Sequence, residues 1–262
     1  MDYETIIYER SETRATIRLN RPEAMNGING QVVEEVRYAL ADAAAEPLLR
    51  ALVLAGSEKA FCVGADLKFV LGELMGDGSL KDGFLADVKR MLDSIEGFPA
   101  PVIGAVSGMA LAGGLELLLC CDLIVAAESA VFGDAHSNYG LIPGGGATVR
   151  MPLRIGASRA KLLMYLGDSH GAAEMERWGL VDVLAPDGEL ESTVDGIVTR
   201  LEEKSPLVLR TMKSLVNGAG ATPKEESLWK EIEALDAHRR SGDMREGLLA
   251  FKEKRVPVFH GK

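Results

Sequence analysis

Three five-residue runs in this chain carry no polar side chain: Ala51-Leu-Val-Leu-Ala55, Val102-Ile-Gly-Ala-Val106 and Leu123-Ile-Val-Ala-Ala127. A strand with one face in water alternates polar and apolar residues, so a run without alternation is a strand covered on both faces. Between the runs the apolar residues return at helical spacing. Val32, Val33, Val36, Leu40 and Ala44 predict a helix over 31–45 that ends before Pro47, and a second helix is expected over 84–95. Residues 4–10 and 14–19 read as two strands about the polar turn Ser11-Glu-Thr13. Gly113 to Cys121 is expected to be helical, with short strands at Ala130-Val-Phe132 and Val181-Asp-Val-Leu184. Residues 72–83 hold Gly72, Gly76, Gly78 and Gly83 among acidic and polar neighbours, which predicts a mobile surface loop, and the stretch 69–90 around it is expected to help wall a pocket. Strands alternate with helices to about residue 185 and helices prevail afterwards, the pattern of an α/β layered core with a helical appendage.

Size and charge narrow the function. The chain has 262 residues, enough for one large domain or a core with an appendage. Its formal net charge is −10 and no dense Lys/Arg stripe occurs, which argues against nucleic acid as a partner but not against a small anionic ligand. Cys62, Cys120 and Cys121 have neither a disulfide-framework pattern nor metal-ligand spacing. The longest apolar stretch, 117–127, is interrupted by Asp122 and too short to span a bilayer, and the first residues lack the features of a signal peptide. The expectation is a soluble cytoplasmic protein without a metal.

Two segments share one character: a buried strand, a turn of small residues, then a helix. They are Ala60-Phe-Cys-Val-Gly-Ala-Asp-Leu-Lys68 and Ser107-Gly-Met-Ala-Leu-Ala-Gly-Gly-Leu-Glu116. Small residues let a ligand approach the backbone, and a helix N-terminus presents N–H groups without intrahelical partners. Two such turns side by side would offer two donors to one developing oxyanion. The plainer alternative is that the glycines only allow tight strand–helix packing.

The segments 60–67 and 108–116, followed by Cys121-Asp-Leu-Ile-Val-Ala-Ala127, closely resemble the crotonase superfamily, the enoyl-CoA hydratase/isomerase family. Leu19-Asn-Arg-Pro-Glu-Ala-Met-Asn26, Gly140-Leu-Ile-Pro-Gly-Gly-Gly146, Gly179-Leu-Val-Asp-Val-Leu-Ala-Pro186 and Ala250-Phe-Lys-Glu-Lys-Arg-Val-Pro-Val-Phe259 resemble further family segments in the same order. The resemblance implies an α/β fold, a crotonase-like spiral of ββα units over residues 1–195. It also implies a helical C-terminal trimerisation region over 196–262, assembled as homotrimers or dimers of trimers. It implies an acyl-CoA substrate, with coenzyme A present as part of that substrate and no other cofactor. By position, the backbone N–H groups of Ala65 and Gly113 form the oxyanion hole, although Ala112 stands where the family often has a third glycine.

Glu116 matches the first acid/base glutamate of the family's hydratases. At the position of the second stands His136, which can move a proton but carries one donor and one acceptor when neutral. Were this stretch extended, Asp134 and His136 would share a face and Asp134 could orient the imidazole. Asn138 and Tyr139 are expected in ordinary hydrogen-bonding roles. Asp66 is expected to bind substrate or cap a helix, Lys68 to reach CoA phosphates, Arg21 to lie near the nucleotide end, and Phe259 or Lys262 to complete a neighbouring subunit's site. Cys62 reads as a buried, inert thiol. The reactions compatible with this set are hydration, double-bond migration, and hydrolysis or C–C cleavage through His136; a catalytically silent acyl-CoA-binding scaffold is the remaining alternative.

Overall fold

The computed structural model describes residues 2–76 and 79–262. In chain order its elements are β1 (Ile6–Arg10), β2 (Arg14–Leu19), α1 (Gly30–Ala44), β3 (Ala51–Ala55), β4 (Ala60–Cys62), α2 (Leu67–Leu74), α3 (Phe84–Glu96), β5 (Val102–Val106), β6 (Met109–Leu111), α4 (Gly113–Leu118), β7 (Leu123–Ala127) and β8 (Val131–Gly133). There follow α5 (Ala147–Ile155), α6 (Ala157–Leu166), β9 (His170–Gly171), α7 (Ala172–Trp178), β10 (Val183–Ala185), α8 (Leu190–Glu202), α9 (Pro206–Ala219), α10 (Lys224–His238) and α11 (Gly242–Glu253).

The strands form two sheets, one of order β1-β2-β3-β5-β7-β10 and one of order β4-β6-β8-β9. The larger begins as an antiparallel hairpin, Ile6 opposite Leu19, and is parallel from β2 onward. Its side chains explain the three unbroken apolar runs. Leu52 and Leu54 point into the main core with α1 and α3, whereas Ala51, Val53 and Ala55 point the other way, against Leu190, Val194 and Val198 of α8. A two-residue repeat between two apolar layers leaves no polar position. Each of β3, β5 and β7 is followed by a short strand of the second sheet, β4, β6 and β8, and then by a helix. This is the spiral of ββα units, and it stacks the loops after β4 and β6 on one another.

Several elements differ from their sequence reading. The helix α1 buries Ala39 and Ala43 beside Val32, Val33, Val36 and Leu40, while Ala44 is exposed. The loop expected over 72–83 is helical through Leu74, so Gly72 lies inside α2. One interior glycine costs only about 1 kcal/mol. Burial of Val70 and an edge-on contact of Phe69 with Phe84 (5.2 Å between centroids) work against that cost. Asp77 and Gly78, also within the expected loop, lie outside the described residues. The boundary drawn between 195 and 196 falls inside α8, which packs on the sheet and so belongs with the core.

Beyond α8, the tail helices leave much apolar surface open, including Val216, Trp229, Ile232, Leu235, Leu248 and Phe251. The tail is nevertheless tied to the core. Lys213 Nζ meets Asp122 at 2.7 Å, and Arg50 donates to the carbonyls of Lys204 and Phe259. No helix among the described residues is long and apolar enough to cross a membrane.

Candidate active site

The turn after β4 is held from outside. Ile28 N–H donates to the Gly64 carbonyl and Asp66 N–H donates to the Ile28 carbonyl, both at 2.8 Å. In such a parallel bridge the flanking groups make the bonds, so the N–H of Ala65 faces away from Ile28. Asn26 fixes the same loop from below, donating through Nδ2 to the carbonyls of Ala60 and Phe61. The turn after β6 is fixed by Ala112 N–H donating to the Gly133 carbonyl, and Gly113 then opens α4, where an N–H has no intrahelical acceptor. Neither Ala65 N–H nor Gly113 N–H meets an acceptor among the described residues.

The two turns touch backbone to backbone. A Cβ built on Gly113 would lie 3.2 Å from Gly64 Cα and 3.4 Å from Ala65 N. Ala112 is held at φ 47°, ψ −120°, a left-sided conformation that suits glycine. Strain of about 1–3 kcal/mol against a glycine entropy cost of about 0.5–1 kcal/mol predicts that Ala112→Gly stabilises the fold by roughly 1 kcal/mol. Chemical denaturation of the two proteins measures this, and a less stable variant would show that Ala112 is unstrained.

Both turns line a cavity of about 730 Å³ whose apolar wall comes from Val70 and from Leu85, Val88 and Leu92 of α3. Glu116, in the first turn of α4, reaches the same cavity and is 3% exposed. Its Oε1 accepts from Gly145 N–H at 2.8 Å and Ala147 N–H at 3.0 Å. Burial pushes its carboxyl above the ordinary range, outweighing the opposing Ala147 N–H, the charge of His136 and the Gly145 N–H. The sequence reading assigned no role to Gly145, Ala147 or Arg150. Arg150 holds that loop by donating to the Gly145 carbonyl while paired with Glu96. The only sequence signal for this cradle was the glycine run 144–146.

His136 also lines the cavity. Its Nδ1 lies 3.1 Å from Oδ1 of Asp134, which is 1% exposed. The stretch is not extended, yet Asp134 and His136 still meet. Ala135 is left-handed (φ 59°) and His136 begins a 3-10 turn, and that reversal is what brings the two side chains together. Burial pulls the imidazole pKa down, but the hydrogen bond and charge of Asp134, with the charge of Glu116, leave it raised.

Arg21, Asp66 and Lys68 stand along the same cavity. Arg21 Nη2 pairs with Asp66 Oδ2 at 3.0 Å and Nη1 donates to the Gly27 carbonyl, while Asp66 Oδ1 accepts from Lys68 N–H at the start of α2. Arg21 and Asp66 thus brace the first turn, and Lys68 is exposed with no ion pair among the described residues. Tyr139 is exposed at the cavity, whereas Asn138 lies off it and donates to the Gly167 carbonyl. Phe259 and Lys262 lie at the far C-terminal tail, where the Lys262 carbonyl accepts from Asp243 N–H. Cys62 is fully buried, which pushes its thiol up to about 12. A wider groove of about 940 Å³ between α1 and α3 includes none of these turns. Two unpartnered N–H groups, a buried carboxyl and an imidazole around one apolar cavity can hold a developing oxyanion and move protons beside it.

Known proteins share this arrangement of chain. A sequence model of the family described as enoyl-CoA hydratase/isomerase matches residues 9–262. The chain is 37% identical over 259 residues to a probable enoyl-CoA hydratase of Mycobacterium bovis, covering 99% of both chains. It is 36% identical over 263 residues to a crotonyl-CoA hydratase of Syntrophomonas wolfei, covering 100% of both. Among solved structures, an enoyl-CoA hydratase from Bacillus anthracis superposes with a TM-score of 0.93 at 34% identity, covering 99% of this chain and 100% of that one.

Proposed function

Because the chain belongs to the enoyl-CoA hydratase/isomerase family, we propose that this acyl-CoA enzyme stabilises a thioester enolate between the N–H groups of Ala65 and Gly113. The observation that carries the reading is the backbone contact of the two turns, with both N–H groups unpartnered beside the cavity of Glu116. When water adds to the β-carbon of an enoyl thioester, or a proton leaves the neighbouring carbon, charge gathers on the carbonyl oxygen. Each such donor is worth about 3–4 kcal/mol of transition-state stabilisation.

In the hydration direction Glu116 accepts a proton from water as the oxygen bonds to the β-carbon. The double-bond electrons move onto the thioester oxygen. Protonated His136 then delivers a proton to the α-carbon, and the enolate collapses to the 3-hydroxyacyl thioester. Solvent exchange returns the proton from Glu116 to His136. In the isomerisation direction the same groups take a proton from one carbon and return one to another. The cradle on Oε1 supports this role for Glu116, since it fixes the carboxyl while Oε2 makes no bond among the described residues. Coenzyme A enters as part of the substrate, and exposed Lys68 is suited to its phosphates. The open apolar faces of α10 and α11 favour self-association as a trimer or dimer of trimers, with Phe259 or Lys262 near a neighbour's site; a monomer mass by light scattering would contradict that.

Crotonyl-CoA and a 3-enoyl-CoA test the reading through the absorbance of the conjugated thioester. Hydration lowers it with the first ester and isomerisation raises it with the second. Tight binding of both esters with no change in either would overturn the proposal.

A further inference from the structure

The pair Asp134–His136 carries more cost than a wall of a pocket requires. Asp134 is buried, and Oδ1 takes both the His136 backbone N–H (3.3 Å) and Nδ1 (3.1 Å). Its second oxygen, Oδ2, has no hydrogen-bond partner among the described residues. A buried carboxylate satisfied through one residue only is poorly compensated. The residue between the two, Ala135, adopts a left-handed backbone that glycine or asparagine suits better. Both costs serve one outcome, the placing of a carboxylate oxygen on Nδ1 of His136.

A carboxylate at Nδ1 selects the tautomer with the proton on that nitrogen and leaves Nε2 as the ring atom for chemistry. His136 lines the cavity of the two turns, whereas Asp134 does not; Asp134 lies behind the ring, beside a second cavity of about 550 Å³. The titratable groups around the imidazole are Asp134 itself, Glu116 from α4, Tyr139 from the same 3-10 turn and Lys161 from α6 on the second cavity.

We propose that Asp134 is a positioning residue. It holds His136 as the Nδ1–H tautomer with Nε2 toward the acyl-CoA cavity, so that an imidazole, not a second carboxylate, moves the proton at the α-carbon opposite Glu116. The proposal rests on the acyl-CoA reading above for its reaction but not for its geometry. Chemically, the proton on Nε2 of the imidazolium passes to the α-carbon, leaving a neutral ring with its remaining proton on Nδ1, and solvent restores the first.

Asparagine at 134 separates a positioning role from a structural one, because its side-chain oxygen can still accept the His136 backbone N–H that caps the turn. Asp134→Asn is expected to lower kcat roughly 10- to 100-fold, with KM within about twofold and the melting temperature not reduced. The sign of the pH effect follows from charge. Asp134 favours the imidazolium, which is the acid, so activity falls as pH rises through the His136 pKa. Without that charge the basic limb of kcat moves to lower pH. Nitrogen NMR of the four histidines, with His136→Gln to identify the signal, reads the tautomer in the wild-type protein without any substrate. An Nε2–H tautomer in the wild type, or an Asp134→Asn variant with unchanged kcat and basic limb, would overturn the proposal. A wild-type protein with the Nδ1–H tautomer that turns over neither ester would instead count against the acyl-CoA chemistry and leave the dyad standing.

Discussion

Glu116→Gln is expected to lower kcat by about 10²- to 10⁴-fold, the range that positioned acid–base groups supply, while acyl-CoA affinity changes little. The amide oxygen of glutamine can keep the bonds from Gly145 and Ala147 that Oε1 accepts in the wild type. What disappears is the capacity to take and return a proton. Stability should move the other way. The folded carboxyl is raised above its ordinary value of 4.5, chiefly by burial. A group whose folded pKa is raised contributes stability below its unfolded value, and that contribution is lost as pH rises through the folded pKa. Glutamine carries no such charge, so the variant's melting temperature should match the wild type near pH 4 and exceed it at neutral pH. Melting curves at the two pH values, with single-turnover kinetics, check both halves. A variant with wild-type kcat would remove Glu116 from the chemistry.

Gly114→Ala is expected to be the most damaging small substitution at the site. A Cβ there would lie 2.0 Å from the Cys62 carbonyl oxygen, 2.6 Å from its carbon and 2.9 Å from Cys62 Cβ. These are atoms of β4, pinned in the sheet against β6, so the contact cannot be relieved by turning a flexible side chain. Either α4, which opens at Gly113, or the end of β4, which leads into the turn of Ala65, must shift. Overpacking of this kind costs about 1–3 kcal/mol and sometimes more, and a displacement of about 1 Å at reacting groups can cost roughly 10²-fold in rate. The variant should therefore lose both stability and kcat/KM. Denaturant unfolding and kinetics below its melting temperature measure the two separately. Retention of wild-type kcat/KM would mean that the spacing of the turns does not govern the rate.

The parts legible in the sequence were those written in long or uniform patterns. The strands β3, β5 and β7 stood out because two apolar layers exclude polar residues from them. The two turns stood out because small residues were concentrated between a strand and a carboxyl-bearing helix. Strands of two or three residues, such as β4, β6 and β9, have no period to read, and most of the second sheet was missed for that reason. The helix α2 was hidden by Gly72, since local composition cannot weigh the burial of Val70 or the contact of Phe69 with Phe84. At the site, the resemblance pointed to Glu116 and His136, and local spacing placed Asp134 near them. The Asp134–His136 contact is local, but those that hold Glu116 and the first turn are long-range. Glu116 is cradled by residues 29 and 31 positions downstream, and Arg21 meets Asp66 across 45 positions. Such pairs exist only once the spiral has closed.

In the proposed reaction the Ala65 and Gly113 N–H groups stabilise an enolate whose α-proton His136 handles, while Glu116 serves the water at the β-carbon. Exchange of the α-protons of butyryl-CoA in deuterium oxide, followed by mass spectrometry, tests it directly because a saturated thioester can neither hydrate nor isomerise. Enzyme-dependent deuterium incorporation at the α-carbon is expected, and it is expected to be abolished in His136→Gln. A protein that binds butyryl-CoA and leaves its α-protons in place would contradict it.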